Sequence, residues 1–541
     1  MRKRGLSFCV LLLASWTFCT ASTTYKQETA QVVFDRLVQA RGDHSGRPLP
    51  TLAFVRNATE LARIQKSTIY LGENAYDICT SMGADSLNAL AFLLAHELTH
   101  YYFEHTWEEE FSKSFVSTTV DDNWLQDEIQ ADLWGGLLAF TSGYRVSGVI
   151  PAFLPKLYEA YGKESDLPGY LSLEERIQMC QQTAAKIDQL VQFFETANYL
   201  VALEMYPDAA YYYQLIRELG YRSREVVNNQ GVCYILEALT LFRKAEMPYS
   251  LPIELDLEAR INESRKGGGM TTEHPEQVRL DLIKKAITYF EEAIQLDANY
   301  TVAKLNAACA YALLGVAQQT ADPDLSEEHF LQAQLFARKA TRSKNERVKE
   351  DAAVLAALME AMQGEQATAQ EMLLALPQDQ PLVSINLEVL EQGIYRAPKP
   401  QILPTKDHET IEQLSMDLFL QTAKFDTLIT FQAEGIPAQW GFTQQAGSLD
   451  HSYIYSHLIN QGRYAILHIT SEAYPEETKL GIRIGSPRSL VEEQYLHPDR
   501  EITLAQGSFL HFPNRQIIIQ LDQQQKVVGW CLYRMQNRSR G

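Results

Sequence analysis

His96-Glu97-Leu98-Thr99-His100 closes the apolar run LNALAFLLAHELTHYYFEH, residues 87–105. Two histidines four positions apart share one face of a helix, so both imidazoles can reach one metal ion. Glu97, beside the first of them, is placed to take a proton from water held there. Histidine is scarce, 12 in 541 residues. The context fits as well. Asp85 and Ser86 are good helix N-caps, and Leu87, Leu90, Ala91 and Leu94 give the first turns a face that buries. A buried helix carrying two histidines and a glutamate needs an electrostatic partner, and a metal supplies one.

A second signal, EIQAD, follows after 27 intervening residues and sets Glu128 and Asp132 one helical turn apart. A carboxylate there could complete a His-His-Glu zinc site with a fourth position open for water. The helical pattern continues through DEIQADLWGGLLAF. This is the ligand arithmetic of metal-assisted peptide hydrolysis.

HELTH with a downstream E-x-x-A-D resembles the gluzincin metallopeptidases related to HtpX, the CAAX-prenyl endopeptidase and the periplasmic outer-membrane-assembly protease, over roughly residues 30–185. The resemblance implies zinc on His96, His100 and Glu128, with Glu97 as general base. It implies that Asp132 orients a ligand histidine from behind, a task the physics of metal sites also asks for. Two departures stand out. The gap between the motifs is shorter than those relatives usually have. The stretch YLSLEERIQMC keeps Arg176, a candidate support for the site, but lacks the histidine that often precedes such an arginine. Tyr144 is a candidate oxyanion group by its position after the third ligand.

At 541 residues the chain exceeds one ordinary core, and two to four domains are expected. A formal charge of −20 argues against nucleic acid and against a basic membrane-docking surface. Arg2, Lys3 and Arg4, the apolar LSFCVLLLASWTF and the small residues of CTAS read as a signal peptide over 1–21, cleaved after Ala21. No other segment reaches the length of a bilayer span, so an exported, soluble protein, periplasmic or secreted, is expected. Five cysteines remain after cleavage, an odd number without C-x-x-C, which is neither a disulfide framework nor a cysteine zinc site. A bridge between Cys79 and Cys180 is compatible with the oxidising compartment.

Residues 22–186 read as an α+β, zincin-like peptidase domain. QVVFDRLVQA is helical, TLAFV and STIYL are strands, and GENAYDIC is a turn. STIYL is expected at the sheet edge, where an extended peptide could pair, although its pattern also suits an ordinary core strand. The acidic stretch WEEEFSKSFVSTTVDDNW joins the two motifs. Residues 187–385 then change to helical periodicity. FFETANYLVALEMYPDAAYYYQLIRELGY and KAITYFEEAIQLDANYTVAKLNAACAYALLG share one small/large pattern. The second resembles a tetratricopeptide repeat at Ala286, Tyr289, Phe290, Ala293, Ala303, Asn306 and Ala310. VVNNQGVCYILEALTLF supplies a partner helix, residues 329–364 continue the stack, and RINESRKGGGMTTEHPEQ is an insertion. Stacked repeats make concave surfaces that hold peptides or partner proteins.

After the linker RAPKPQILP the period falls to two, in TLITF, SYIYSHLI, RYAILHIT, RQIIIQL and KVVGWCLYR, so 400–541 form a β-rich α+β domain. RQIIIQLDQQQKVVGWCLY is a hairpin with a polar tip. GIRIGSPRSLVEEQYLHPDR resembles the strand–turn–helix of small periplasmic lipoprotein-like domains. The scattered histidines here have no ligand spacing.

The reading is an exported zinc metalloendopeptidase whose protein or peptide substrates are recruited by a tetratricopeptide-like arm, with a role in envelope quality control. The competing reading is a repeat scaffold or chaperone-like binder with a residual peptidase domain. A cytosolic HExxH regulator fits the short ligand spacing but not the export signal.

Overall fold

The computed structural model describes residues 25–38, 48–56, 62–102, 131–160, 193–255, 275–393 and 408–537, with short interruptions inside the last several ranges, and the isolated residues 174, 178 and 190. Residues 1–21, read above as a signal peptide, Glu128, Arg176, Cys180, the acidic stretch after HELTH, most of the glycine insertion and all of the RAPKPQILP linker lie outside the described residues. The chain divides into two units, Met1–Leu190 and Val191–Gly541. It has a mixed α/β N-terminal segment, a central run of stacked helices and a C-terminal antiparallel β-sheet domain. Among the described residues no helix is long and apolar enough to cross a membrane.

In the N-terminal unit, helix α1 (25–38) buries Ala30, Val33, Phe34 and Leu37, an i, i+3, i+4, i+7 stripe. Strands β1 (Thr51–Val55), β2 (Ala62–Gln65) and β3 (Thr68–Gly72) form a sheet in the order β1-β3-β2. β3 runs parallel to β1 and antiparallel to β2. The STIYL strand is therefore central. Both of its edges are paired, which rules out the edge role expected for it. β2 escaped the sequence reading because ARIQ is short and carries no turn glycine. Its hairpin turns at Lys66, with φ 57°.

GENAYDIC, expected as a turn, is helix α2 (Glu73–Thr80). Ala75, Tyr76 and Cys79 face inward at helical spacing, and Lys26 of α1 bridges Glu73 and Asp77 at 3.1 and 2.7 Å. Gly72 and Asn74 suggested a turn, but the buried stripe decides the conformation. Cys79 is a free, buried thiol whose pKa burial pushes up, and Cys180 lies outside the described residues. Helix α3 (Ser86–Tyr102) carries HELTH and packs on α2, β2 and β3. Downstream come a helical stretch α4 (131–140) and helix α5 (Ile150–Ala160).

The second unit opens with α6 (193–202), reverses at Glu204 (φ 61°) and continues into α7 (Tyr206–Glu218) and α8 (Arg224–Thr240). Then follow α9 (Pro275–Leu296), α10 (Thr301–Gln318), α11 (Pro323–Ala340), α12 (Glu346–Met362), α13 (Gln366–Leu374) and α14 (Pro381–Gln392). Ser223, Asp322 and Asn345 cap α8, α11 and α12 through their side chains, and Gly393 ends α14 in the left-handed region. Each helix from α7 on packs on its successor, and α8, α10, α12 and α14 also touch in sequence, as in a repeat stack. The small residues allow it. A Cβ on Gly231 would meet the Phe290 ring at 2.7 Å, and one on Gly315 would meet Phe330 at 2.9 Å. All seven repeat-pattern positions from Ala286 to Ala310 are buried. The run is helical-repeat-like and consistent with a tetratricopeptide-type motif.

Six antiparallel strands form the main C-terminal sheet, in the order Ile454–His457, Arg463–Ile469, Val527–Asn537, Ile517–Asp522, Gly507–Phe512 and Arg500–Leu504. The hairpin expected at RQIIIQL…KVVGWCLY is present. GIRI is not a strand. Only the helix of that motif forms, α15 (Arg488–Tyr495). Val491 and Tyr495 of α15 cover one sheet face, over Leu510, Ile517, Ile519 and Trp530. The other face lies against α6. The Tyr199 and Phe509 rings are 5.5 Å apart, and a Cβ on Gly529 would meet the Tyr199 hydroxyl at 3.1 Å. This explains why RQIIIQL carries three isoleucines in a row where a half-wet strand would alternate.

Because Ile518 and Ile519 are both fully buried on opposite faces, Ile518→Ala and Ile519→Ala are each expected to destabilise the unit by about 2–5 kcal/mol. Denaturant unfolding of the two variants checks this. A loss at Ile519 alone would mean the α6 face of the sheet is open to water.

Candidate active site

The site is assembled by two helices. On α3 the apolar turns from Ala89 to Ala95 are buried, and they carry His96, Glu97 and His100 inward, at 0, 2 and 7 % exposure. Thr99, also buried, returns its hydroxyl to the Ala95 carbonyl at 2.8 Å. On α4 the fully buried Asp132 lies with Oδ1 2.8 Å from His96 Nδ1. A carboxylate only accepts hydrogen bonds, so Nδ1 carries the proton and donates it. The tautomer of His96 follows, with its lone pair on Nε2. That nitrogen lies 3.0 Å from His100 Nε2, with the rings 4.7 Å apart and inclined at 76°.

Two imidazole nitrogens facing each other at this distance share either one proton or one cation. For two histidines on a tetrahedral zinc, with bonds of about 2.0–2.1 Å, the N···N edge is about 3.3 Å. The observed pair is close to that edge. The back of His96 is tied to a carboxylate, as metal-ligating histidines usually are. The histidine pair supplies two nitrogens near the spacing of neighbouring ligands on a zinc ion. Among the described residues, no group of three or more histidine, cysteine, aspartate or glutamate side chains is arranged to hold a metal. The expected third ligand, Glu128, lies outside them, as does Arg176.

Tyr144 belongs to a different cluster. Its ring lies under the Arg36 guanidinium, 5.4 Å from the ring centroid. Burial raises its pKa, and Arg36 opposes that rise. Its partner is thus helix α1, which gives no support to an oxyanion role.

The residue that sequence reasoning missed is Gly135. A Cβ there would lie 2.8 Å from both Cα and N of His96, and 3.0 Å from the Ala95 carbonyl carbon. Backbone therefore rides on backbone where α4 crosses α3. Gly135 follows Asp132 by three residues, so both share the face of α4 turned to His96. The signal was in the sequence: Gly135-Gly136 inside a helical pattern is costly unless a close approach requires it.

Compared with known proteins, the chain matches no protein-family model and no curated relative.

The overlap at Gly135 is with main-chain atoms, which cannot swing away. Gly135→Ala should push α4 off α3, lengthen the Asp132–His96 bond and cost about 1–3 kcal/mol. Thermal unfolding and the NMR signal of the His96 Nδ1 proton both report on it. A variant as stable as the parent, with that proton still protected, would show that the helices cross elsewhere.

Proposed function

We propose that this chain is an exported zinc metalloendopeptidase of the gluzincin type that hydrolyses peptide bonds in protein substrates. The observation that carries the reading is the His96–Asp132 hydrogen bond, which holds the ring by Nδ1 and sets its Nε2 against His100 Nε2. A carboxylate buried behind a buried histidine costs desolvation and orients the ring.

In this reading His96, His100 and Glu128 hold the ion, and Asp132 keeps His96 in one tautomer. Zinc, when bound, polarises a carbonyl and makes water more acidic. Glu97 is on the same helix turn as the two histidines and is nearly fully buried. It takes the proton of the attacking water and passes it to the leaving amine. Arg176 supports the site from outside. The stacked helices recruit the polypeptide and raise its local concentration at the site, a gain set by linkage rather than by new bonds at the scissile group. The export signal before Ala21 suits a role in envelope protein quality control.

Purified full-length protein should carry about one zinc per chain, lost in His96→Ala. Glu97→Gln should keep the metal and slow turnover of an unfolded test protein by about 100-fold or more. Metal-free protein prepared without chelator, or an undiminished rate in Glu97→Gln, would refute the reading.

The two carboxylates of EIQAD should also differ. Glu128→Ala should strip the ion. Asp132→Ala should weaken affinity or activity about 10–100-fold, because it acts through His96. The reverse ranking in a zinc titration would exchange their roles.

A further inference from the structure

After α8 the chain does not pass directly to α9. It crosses the stack as Pro248–Leu255, with neither helix nor strand and with one tight turn at Pro252, where the Ile253 N–H donates to the Leu251 carbonyl at 3.0 Å. Two asparagines hold it. Asn386 of α14 accepts from the Ser250 N–H and donates to the Ser250 carbonyl, both at 2.9 Å. Asn306 of α10 does the same to Glu254, at 2.8 and 2.7 Å. Asn228 of α8 adds a longer bond to the Glu254 carbonyl at 3.4 Å and accepts from Asn306 at 2.9 Å. Between these anchors the Cys309 thiol faces the Pro252 carbonyl at 3.8 Å. The Glu254 carboxyl lies against that of Asp351 of α12, where burial raises the Asp351 pKa so that the pair can share one proton, and Arg347 and Gln380 hold Asp351 at 2.9 and 2.7 Å.

One amide gripping both the N–H and the C=O of one residue imitates a neighbouring β-strand. It reads main chain, not side chain. Two such clamps, four residues apart on either side of the Pro252 turn, define a site that holds a short length of main chain. The clamps are built into the stack, with Asn228, Asn306 and Asn386 all fully buried. Buried amides must find partners, so the face needs an occupant. The occupant is held less deeply than its clamps. Pro248, Tyr249, Ser250, Leu251 and Ile253 are only partly buried, while Pro252, Glu254 and Leu255 are buried, and no backbone group of the segment belongs to a sheet or helix.

We propose that the face formed by α8, α10, α12 and α14 is a binding site for a short length of polypeptide main chain, with residues 248–255 as its resident ligand. A segment of another polypeptide exchanges with that resident when it carries a proline followed two residues later by an acidic residue. Pro252 offers no N–H that would need a partner, and the acid takes the place of Glu254. The proposal deepens the recruiting role given above to the helices, and rests on that reading for its purpose. The binding itself needs no zinc.

The probe is a fluorescein-labelled peptide of residues 247–255, followed by anisotropy on the full-length chain. Wild type and Glu97→Gln should both bind it weakly, since the resident competes. Loosening the resident with Pro252→Gly and Glu254→Ala should tighten binding about tenfold or more, as expected if the open site was populated a tenth of the time or less. Asn306→Leu with Asn386→Leu should then abolish it. A folded, loosened chain that binds no better than wild type, or binding that survives loss of both asparagines, overturns the proposal.

Hydrogen exchange on the unaltered protein decides the matter if the loosened variant does not fold. The Ser250 and Glu254 amides should exchange faster than those of α10, and faster still with saturating peptide. Exchange only in step with α10 would make the segment a permanent strap and overturn the proposal. Peptide binding without hydrolysis would count against the peptidase reading alone. Hydrolysis without peptide binding would count against this inference alone.

Discussion

Both units are organised by the requirement that buried polar groups find partners. Helix α3 is apolar through its middle and then buries a histidine, a glutamate, a threonine and a second histidine in five residues. No such helix is stable against its neighbours unless each group is bonded or shares a cation. Asp132 answers for His96, and Thr99 answers to its own helix. To bring Asp132 close enough, α4 must cross at backbone contact, and only glycine at position 135 permits that. The orientation of His96, the helix crossing and the tandem glycine are thus one constraint seen at three levels.

Much of this was legible in the chain. That His96, His100 and Asp132 lie together was legible because helix geometry fixes which offsets share a face, and offsets survive in a linear sequence. The six-stranded sheet was legible in part for a similar reason: period-two runs mark strands. Strands Arg500–Leu504 and Gly507–Phe512 escaped because REITL and GSFLHF carry little alternation. The order of strands in the N-terminal sheet was not legible either. STIYL looks the same at an edge or at the centre, and only its pairing with both β1 and β2 decides. Helix α2 was hidden by Gly72 and Asn74, whose local preference for turns was outweighed by burial of Tyr76 and Cys79.

The helical run and the sheet domain fall within one compact unit, Val191–Gly541, and α6 lies under the sheet face that carries Phe509, Gly529 and Cys531. The first helix of the run is thus covered by strands from the far end of the chain. A terminal helix in a repeat stack lacks a neighbour on one side and must be capped. The sheet performs that office here, and Arg500 adds hydrogen bonds to Glu204 and the Ala202 carbonyl at the α6 turn.

The asparagine clamps carry the same argument to the other face of the stack. Asn306 entered the sequence reading only as one position of a small/large repeat pattern, a packing residue. Its side chain instead holds the backbone of a segment 52 residues earlier. Packing patterns reveal which residues are inside. They do not reveal which of the inside residues are polar for a reason. That reason appears when residues 248–255 are seen lying across them, so that this face of the stack is filled by the protein's own chain.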